Sequence, residues 1–213
     1  MLDELKKIVC ECNLELPRNG LVSWTSGNVS ARDPETGYIV IKPSGISYNT
    51  MQPEDMVVVN LEGNVIEGTL KPSSDTLSHL VVYRQREDVN GVAHTHSNYA
   101  TAFAVIGKSI PAFMTVIAEK FGGVVPVGAF AAVGGEAIGN EIVRSIGSSS
   151  AILMKNHGVF TIGDSPVSAL ASAIIIEDVA KTYWLALQVG TPTILSDEEV
   201  KEHINWHSHS YGQ

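Results

Sequence analysis

The chain has 213 residues, 44% hydrophobic and 17% charged, and this composition excludes a disordered protein. We predict a single domain over residues 1–213, because nothing in this length requires a second core. Fourteen basic residues against 23 acidic ones give a net charge of -9, which argues against nucleic acids and anionic membranes as partners. The start lacks a secretory-signal pattern, and no apolar run approaches the roughly 18 residues of a membrane span, so we expect a cytoplasmic protein.

The first 70 residues predict one helix followed by short strands. Apolar side chains spaced three or four apart indicate an amphipathic helix over 3–16, which Pro17 and Gly20 are expected to end. Strand-like runs follow at 21–24, 29–32, 38–41, 56–60 and 65–67. The turn residues at 33–37 and 62–64 predict that the strands on either side pair as hairpins.

Helices and strands alternate in the rest of the chain. Ser73 or Ser74 is expected to cap a helix that ends near Arg86, and Ser97 a short helix that ends near Ile106. Further helices are predicted over 136–146, 166–188 and 197–203, and strands over 91–96 and 151–155. This order predicts the α/β class: a single-domain sandwich whose mixed, mainly antiparallel central sheet is flanked by helices. No G-x-G-x-x-G is present, which argues against a doubly wound nucleotide-binding fold.

Three histidines form the sharpest chemical signal. His94 and His96 alternate on a predicted strand, so both imidazoles can face one metal ion. His157 follows the strand 151–155 in an Asn-His-Gly turn, where ligands commonly come from loops. Three protein ligands and one open position are typical of catalytic zinc. The alternatives are two unrelated buried histidines and a turn histidine that caps a carbonyl. The second H-x-H, at His207 and His209, we interpret as solvated surface.

Three loops have the chemistry of an anion site. Ser73, Ser74 and Asp75 begin a predicted helix, whose backbone N–H groups and dipole favour a negative charge. The sequences T-S-G-N at 25–28 and K-P-S-G at 42–45 each put a hydroxyl beside a glycine that lets the backbone approach a ligand. Together they predict a cradle for the phosphate of a small molecule, although Asp75 alone could be an ordinary first-turn charge.

One ordered series of motifs resembles the class II aldolase/adducin family. These are T-S-G-N-V-S (25–30), K-P-S-G (42–45), S-S-D (73–75), H-T-H-S (94–97), N-H-G (156–158) and S-Y-G-Q (210–213). The resemblance covers nearly the whole chain and implies the family's fold. It implies that Zn²⁺ is held by His94, His96 and His157, with Asp75 as acid/base and further metal ligand. It also implies phosphosugar-binding roles for Gly27, Asn28, Ser44, Gly45, Ser73 and Ser74.

The activity implied by this resemblance is that of a zinc-dependent aldolase. It would cleave a ketose 1-phosphate of the L-fuculose 1-phosphate type to dihydroxyacetone phosphate and an aldehyde, through a zinc-stabilised enediolate. Tyr211 matches the family's C-terminal proton donor. The family also implies a homotetramer with active sites between subunits, so that this tail could reach a neighbour.

Two departures from the family patterns keep an alternative open. Glu119 stands where the family's epimerases carry a catalytic aspartate, and Thr115 stands where the aldolases carry a tyrosine. The first hundred residues, including Asp75, look more epimerase-like, whereas the length and the segment after Gly122 look more aldolase-like. An L-ribulose-5-phosphate 4-epimerase that works by retro-aldol and aldol steps is therefore the alternative. A non-enzymatic module of this fold is expected to have lost the three histidines.

Overall fold

An eight-stranded sheet forms the centre of the computed structural model, which describes the backbone of residues 2–210 and the side chains of residues 2–206. The strand order is β4-β3-β2-β1-β5-β8-β7-β6, and within the described chain only β6 and β7 pair in parallel. The predicted mixed, mainly antiparallel sheet is thus confirmed. The strands are β1 (Asn28–Arg32), β2 (Ile39–Ile41), β3 (Val57–Val59), β4 (Val65–Glu67), β5 (Gly91–Thr95), β6 (Val127–Gly128), β7 (Ala151–Met154) and β8 (Gly158–Gly163).

Helices cover both faces of this sheet. They are α1 (Asp3–Arg18), α2 (Thr76–Gln85), α3 (Asn98–Val105), α4 (Thr115–Phe121), α5 (Ala137–Ser145), α6 (Pro166–Val189) and α7 (Asp197–Ser210). Helices α2 and α5 pack on one face, and α1, α3 and α6 pack on the other. Because the central strands are buried on both faces, they read as continuous apolar runs such as Ile39–Ile41 and Val57–Val59. No helix of the described chain has the length and apolar content to cross a membrane.

The two predicted hairpins form as expected. Asp33 closes the turn between β1 and β2, since its carboxylate accepts the backbone N–H and the hydroxyl of Thr36 at 2.9 and 2.6 Å. Asn60 accepts the backbone N–H of Asn64 at 2.8 Å in the turn between β3 and β4. Asx side chains that bond to nearby backbone groups stabilise such turns. The sequence-level hairpin predictions are confirmed.

Several predicted elements differ from the structure. Residues 21–24 form no strand, because Ser26 bonds to the Ser23 carbonyl through its backbone N–H and its hydroxyl and closes a local turn. Helix α1 continues through Pro17 to Arg18, since a proline in the last turn removes only one intrahelical bond. Strand β8, the short strand β6 and helix α4 were not predicted. Helix α7 runs on to Ser210, beyond its expected end at residue 203.

The expected serine caps of α2 and α3 also differ. Asp75 occupies the N-cap position of α2, and Ser73 instead accepts the Asp75 backbone N–H at 3.3 Å. Ser97 does occupy the N-cap position of α3, but its side chain makes no capping bond. The Glu177 carboxylate on α6 accepts the N–H groups of Tyr99 and Ala100, both at 2.9 Å. A distant carboxylate thus replaces the local cap that the sequence pattern predicts.

Candidate active site

Three imidazoles converge beside the carboxyl end of β5. Each of His94, His96 and His157 offers one ring nitrogen, and these atoms all lie within 4.8 Å of one another. The Nε2 atoms of His94 and His96 are 3.0 Å apart. This geometry is the one that a metal bound by three histidines requires, and it argues against the alternative of unrelated buried histidines.

The backbone brings these side chains together at the ends of three strands. His94 lies on β5, and His96 follows the last residue of that strand. His157 lies in the turn between β7 and β8, where Asn156 adopts a left-handed conformation with φ of 56°. Gly158 next to it has no space for a side chain, because a Cβ atom would lie 2.5 Å from the Thr95 carbonyl oxygen and 2.7 Å from His96 Cδ2.

The protonation state of His94 suits metal binding. Its Nδ1 lies 2.9 Å from the Val159 carbonyl oxygen, which can only accept a hydrogen bond, so Nδ1 carries the proton. Nε2 then has a lone pair that can bind a metal. The ring stacks on Phe160, with centroids 4.1 Å apart. Burial lowers the pKa of His94 to about 3. Burial also lowers the pKa values of His96 and His157, and neutral imidazole is the form that ligates metals.

His157 supplies a further indication that the three histidines fit a metal. Its Nδ1 atom is buried and has no hydrogen-bond partner within the described residues. That atom therefore caps no carbonyl in the described chain, which removes the support for the alternative role considered for this residue. Buried polar atoms are nearly always satisfied, so an unsatisfied ring nitrogen beside two other imidazoles fits a metal site.

Asp75 lies next to the histidines and is held by Asn28. The Asn28 amide donates to Asp75 Oδ2 at 2.7 Å and to Ser73 Oγ at 3.0 Å. Burial raises the pKa of Asp75, but the neighbouring His94 and His79 and the Asn28 hydrogen bond outweigh burial and hold this pKa below 3.8. Asp75 is therefore an ionised carboxylate with a fixed direction.

A single cavity of about 420 Å³ joins these groups to the predicted phosphate cradle. It is lined by all three histidines, by Asp75, and by the six predicted substrate-binding residues Gly27, Asn28, Ser44, Gly45, Ser73 and Ser74. Ten predicted site residues from five separate stretches of sequence thus meet in one place. Their roles in binding and catalysis stay predictions.

Lys42 is a member of this cavity that sequence reasoning did not select. Its side chain is buried, its ammonium group donates to the Thr25 carbonyl oxygen at 3.0 Å, and it lies 4.9 Å from the centre of the Tyr48 ring. Burial lowers the pKa of Lys42 to about 8, and the Asp75 carboxylate opposes that shift. The neighbouring sequence carries no signal for this burial, because lysine side chains are mostly exposed.

Among the described residues, Glu119 is the predicted catalytic residue that does not line this cavity. Glu119, on α4, faces a separate depression that it shares with Thr115 and with Glu202, His203 and Trp206 of α7. Tyr211 lies outside the described residues, as do the side chains of His207 and His209. Within one chain, Glu119 therefore lies away from the three histidines.

Comparisons with known proteins agree with this arrangement. The sequence profile of the class II aldolase and adducin N-terminal domain matches residues 7–184. An L-fuculose 1-phosphate aldolase structure is 31% identical, with a TM-score of 0.92 over 96% of each chain. The L-fuculose-1-phosphate aldolase from Thermus thermophilus is 26% identical, with a TM-score of 0.73 over 89% of this chain and 98% of that one. YgbL from Escherichia coli, at 24% identity, shares the fold with a TM-score of 0.85 over 95% and 98% of the two chains.

Proposed function

Because the chain belongs to the class II aldolase and adducin family, we propose that it is a zinc-dependent aldolase that cleaves a ketose 1-phosphate of the L-fuculose 1-phosphate type. The products would be dihydroxyacetone phosphate and an aldehyde. One observation carries the proposal: the cavity that contains three convergent imidazoles also contains an ionised carboxylate and an anion cradle with a buried lysine. A retro-aldol cleavage of a phosphorylated sugar needs each of these groups.

The three histidines fit zinc because they offer neutral nitrogen donors and leave room for substrate oxygens. Bound zinc would act as a Lewis acid that polarises the substrate carbonyl and stabilises the charge of the enediolate. The chain's contribution is to orient the donors. The Val159 carbonyl fixes the tautomer of His94, and Phe160 fixes its ring plane.

The phosphate group is proposed to bind at the opposite side of the cavity. Lys42 would supply the positive charge, and Ser44, Ser73 and Ser74 would supply hydroxyl donors. Gly27 and Gly45 both have positive φ, at 74° and 71°, which exposes their backbone to a ligand. In an acidic protein, this concentration of donors in one cavity supports an anionic substrate.

Asp75 is proposed to move the proton. When the carbon–carbon bond breaks, the bonding electron pair stays on the carbon of the enediolate, and a proton must reach that carbon to complete dihydroxyacetone phosphate. The substrate hydroxyl that becomes the aldehyde carbonyl loses a proton in the same step. The ionised Asp75 carboxylate would take up that proton, relayed by Tyr211, and then deliver it to the enediolate carbon from a position fixed by Asn28. Tyr211 is proposed to serve the oxygen of the aldehyde, on the basis of its match to the family motif alone.

Epimerisation of L-ribulose 5-phosphate is the second candidate. Asp75 favours the epimerase, since the aldolases of the family carry glutamate at this position and the epimerases carry aspartate. Glu119 lies on a surface next to α7, away from the cavity of the same chain, so its participation would require a second subunit.

The proposed function includes a homotetramer in the cytoplasm, with active sites shared between subunits.

The discriminating experiment incubates the zinc-loaded protein separately with L-fuculose 1-phosphate and L-ribulose 5-phosphate. Release of dihydroxyacetone phosphate from the first identifies the aldolase, and formation of xylulose 5-phosphate from the second identifies the epimerase. The D75N variant is the matched control, because it keeps the shape of the side chain and removes the base. Absence of both products with the wild-type protein would refute the proposal.

A further inference from the structure

A row of polar side chains lies between α2 and β1, although the core around it is apolar. Three residues of α2 spaced four apart meet three alternate residues of β1. The helix contributes Asp75 at its N-cap, His79 and Tyr83, and the strand contributes Asn28, Ser30 and Arg32. We call these six residues the polar ladder.

The contacts of the ladder run in order along both elements. Asp75 accepts from Asn28 at 2.7 Å, and His79 Nδ1 lies 2.7 Å from Ser30 Oγ. Ser30 Oγ is also 2.8 Å from the Tyr83 hydroxyl. At the far end the Arg32 guanidinium donates to the Tyr83 carbonyl at 2.9 Å and lies over its ring.

The ladder fits because the two elements have matching repeats. Four residues of helix rise about 6 Å, and two residues of strand rise about 6.7 Å. A helix displaced by one residue along β1 would break every contact at once. Apolar packing alone tolerates small sliding, whereas these hydrogen bonds select one axial position.

The direction of the hydrogen bonds follows from the acidity of the groups. A phenol is a more acidic donor than a neutral imidazole, and an imidazole nitrogen is a more basic acceptor than a phenol oxygen, so we infer that the Tyr83 hydroxyl donates to Ser30 and the Ser30 hydroxyl to His79 Nδ1. The His79 proton is then on Nε2, which is buried and has no partner within residues 2–206. Asn28 Oδ1 is buried and unpaired in the same part of the chain.

We propose that His79 is a positioning residue: it fixes α2 along β1 in the Nε2–H tautomer and thereby sets where the Asp75 carboxylate stands in the cavity. His79 is completely buried and its own backbone N–H donates to the Asp75 carbonyl, so it joins the helix start to the strand. The consequence for catalysis rests on the proposed function of Asp75, whereas the consequence for the Asn28–Asp75 bond does not.

The first test uses NMR on the metal-free protein and needs no activity. In the wild type, both protons of the Asn28 side-chain amide should be hydrogen-bonded and slow to exchange. H79L should shift these resonances and speed their exchange by at least about tenfold. V82A is the matched control, because it removes a buried side chain of α2 that lies in the apolar cluster outside the ladder. If the Asn28 amide in H79L behaves as in V82A, the proposal is overturned.

A milder variant covers the case in which H79L does not fold. S30A keeps the imidazole and removes only the hydroxyl that joins His79 to Tyr83. Nitrogen-15 shifts should place the wild-type His79 proton on Nε2, and S30A should change this to a mixture of tautomers with a shifted Asn28 amide. A wild-type ring with its proton on Nδ1, or an S30A spectrum with both features unchanged, would also overturn the proposal.

The second test measures turnover by the zinc-loaded variants. H79L should lower kcat by about 10- to 100-fold, as a misplaced catalytic group does. KM should rise by a smaller factor, since Ser73 and Ser74 move with Asp75 whereas Lys42 and Ser44 stand on another loop. Zinc content should stay as in the wild type. V82A should keep the wild-type kcat. If the wild type turns over neither sugar phosphate, the proposed function fails and the Asn28 amide still decides the role of His79.

Discussion

Gly158 shows how little space separates the three clustered histidines from the backbone. A methyl group at this position would collide with the Thr95 carbonyl and with His96 Cδ2, at 2.5 and 2.7 Å. Neither atom lies at the end of a flexible side chain, so the turn that carries His157 would have to move away from β5. The convergence of the three imidazoles therefore depends on the absence of one side chain.

We expect the G158A variant to bind zinc at least about tenfold more weakly, because the collision separates donors that must converge on one ion. Titration of zinc against a competing chelator measures the affinity directly. G190A is the matched control, since Gly190 has extended backbone and nothing within 4 Å of an added Cβ. Equal affinities in G158A and the wild type would show that these histidines do not form the zinc site.

Lys42 makes anion binding depend on pH. Its pKa of about 8 in the folded protein lies below the ordinary 10.5. Between these two pH values the ammonium group loses its charge in the cavity, whereas the same group in an unfolded chain keeps it. Sulfate affinity should be constant below pH 8 and fall about tenfold per pH unit above it, because sulfate keeps its charge over this range. Calorimetric titration with sulfate between pH 7 and 9.5 measures this.

The free energy of unfolding should rise over the pH range in which the sulfate affinity falls. Between pH 8 and 10.5 the unfolded chain binds more protons than the folded one at this site, so the contribution of Lys42 to the free energy of unfolding rises with pH.

K42M should bind sulfate weakly at every pH. A sulfate affinity that is the same at pH 7 and pH 9.5 in the wild type would exclude Lys42 from the anion site.

The residues that could be predicted from sequence are those whose local pattern carries the chemistry. The alternation of His94 and His96 and the presence of a helix soon after Ser73 are visible in a few consecutive letters, although Asp75 and not a serine occupies its N-cap. Lys42 and His79 are different, because their environments are set by elements distant in sequence. Lys42 meets the Thr25 loop, and His79 meets Ser30, 49 positions away. No local pattern reveals that a lysine will be buried or that a helix histidine will face a strand.

At the scale of the element, the long helix α6 and the short strands β1 to β4 were predicted, whereas β6, β8 and α4 were not. Helix α6, predicted over 166–188, runs over Pro166–Val189. Strand β8 was missed because glycines at both of its ends, Gly158 and Gly163, resemble turn signals. The contact with β5 on one side and β7 on the other makes this segment a central strand. Its inner residues, Val159 to Ile162, have high strand propensity, and only the flanking glycines suggested a turn.

The start of α3 gives an element-scale prediction. E177A should lower the free energy of unfolding by about 1–2 kcal/mol, since it leaves the N–H groups of Tyr99 and Ala100 without their acceptor. S97A should change it by less than about 0.5 kcal/mol, because Ser97 makes no capping bond. Chemical denaturation of both variants provides the comparison. A larger loss of unfolding free energy in S97A than in E177A would show that Ser97 caps α3, as the sequence suggested.

At the scale of the whole molecule, the proposed metal site depends on the complete sheet. His94 and His157 are brought together by the pairing of β5 with β8, in which His94 lies opposite Phe160. An unfolded chain has no such arrangement, and therefore binding of zinc to the folded state must raise stability. The size of this effect reports on the entire site and requires no knowledge of the substrate.

Zinc at about 100 times its dissociation constant should stabilise the protein by about 2.7 kcal/mol, which for a chain of this size is a rise in Tm of roughly 5–10 °C. H157A should abolish the rise but keep the Tm of the metal-free protein, since His157 is half-buried and its ring nitrogen Nδ1 makes no hydrogen bond in the described chain. H203A is the matched control, because His203 is half-buried in the separate depression near Glu119. Thermal melts with and without zinc, and with a chelator, measure all three proteins. A zinc-dependent rise that persists in H157A, or disappears in H203A, would place the metal elsewhere in the molecule.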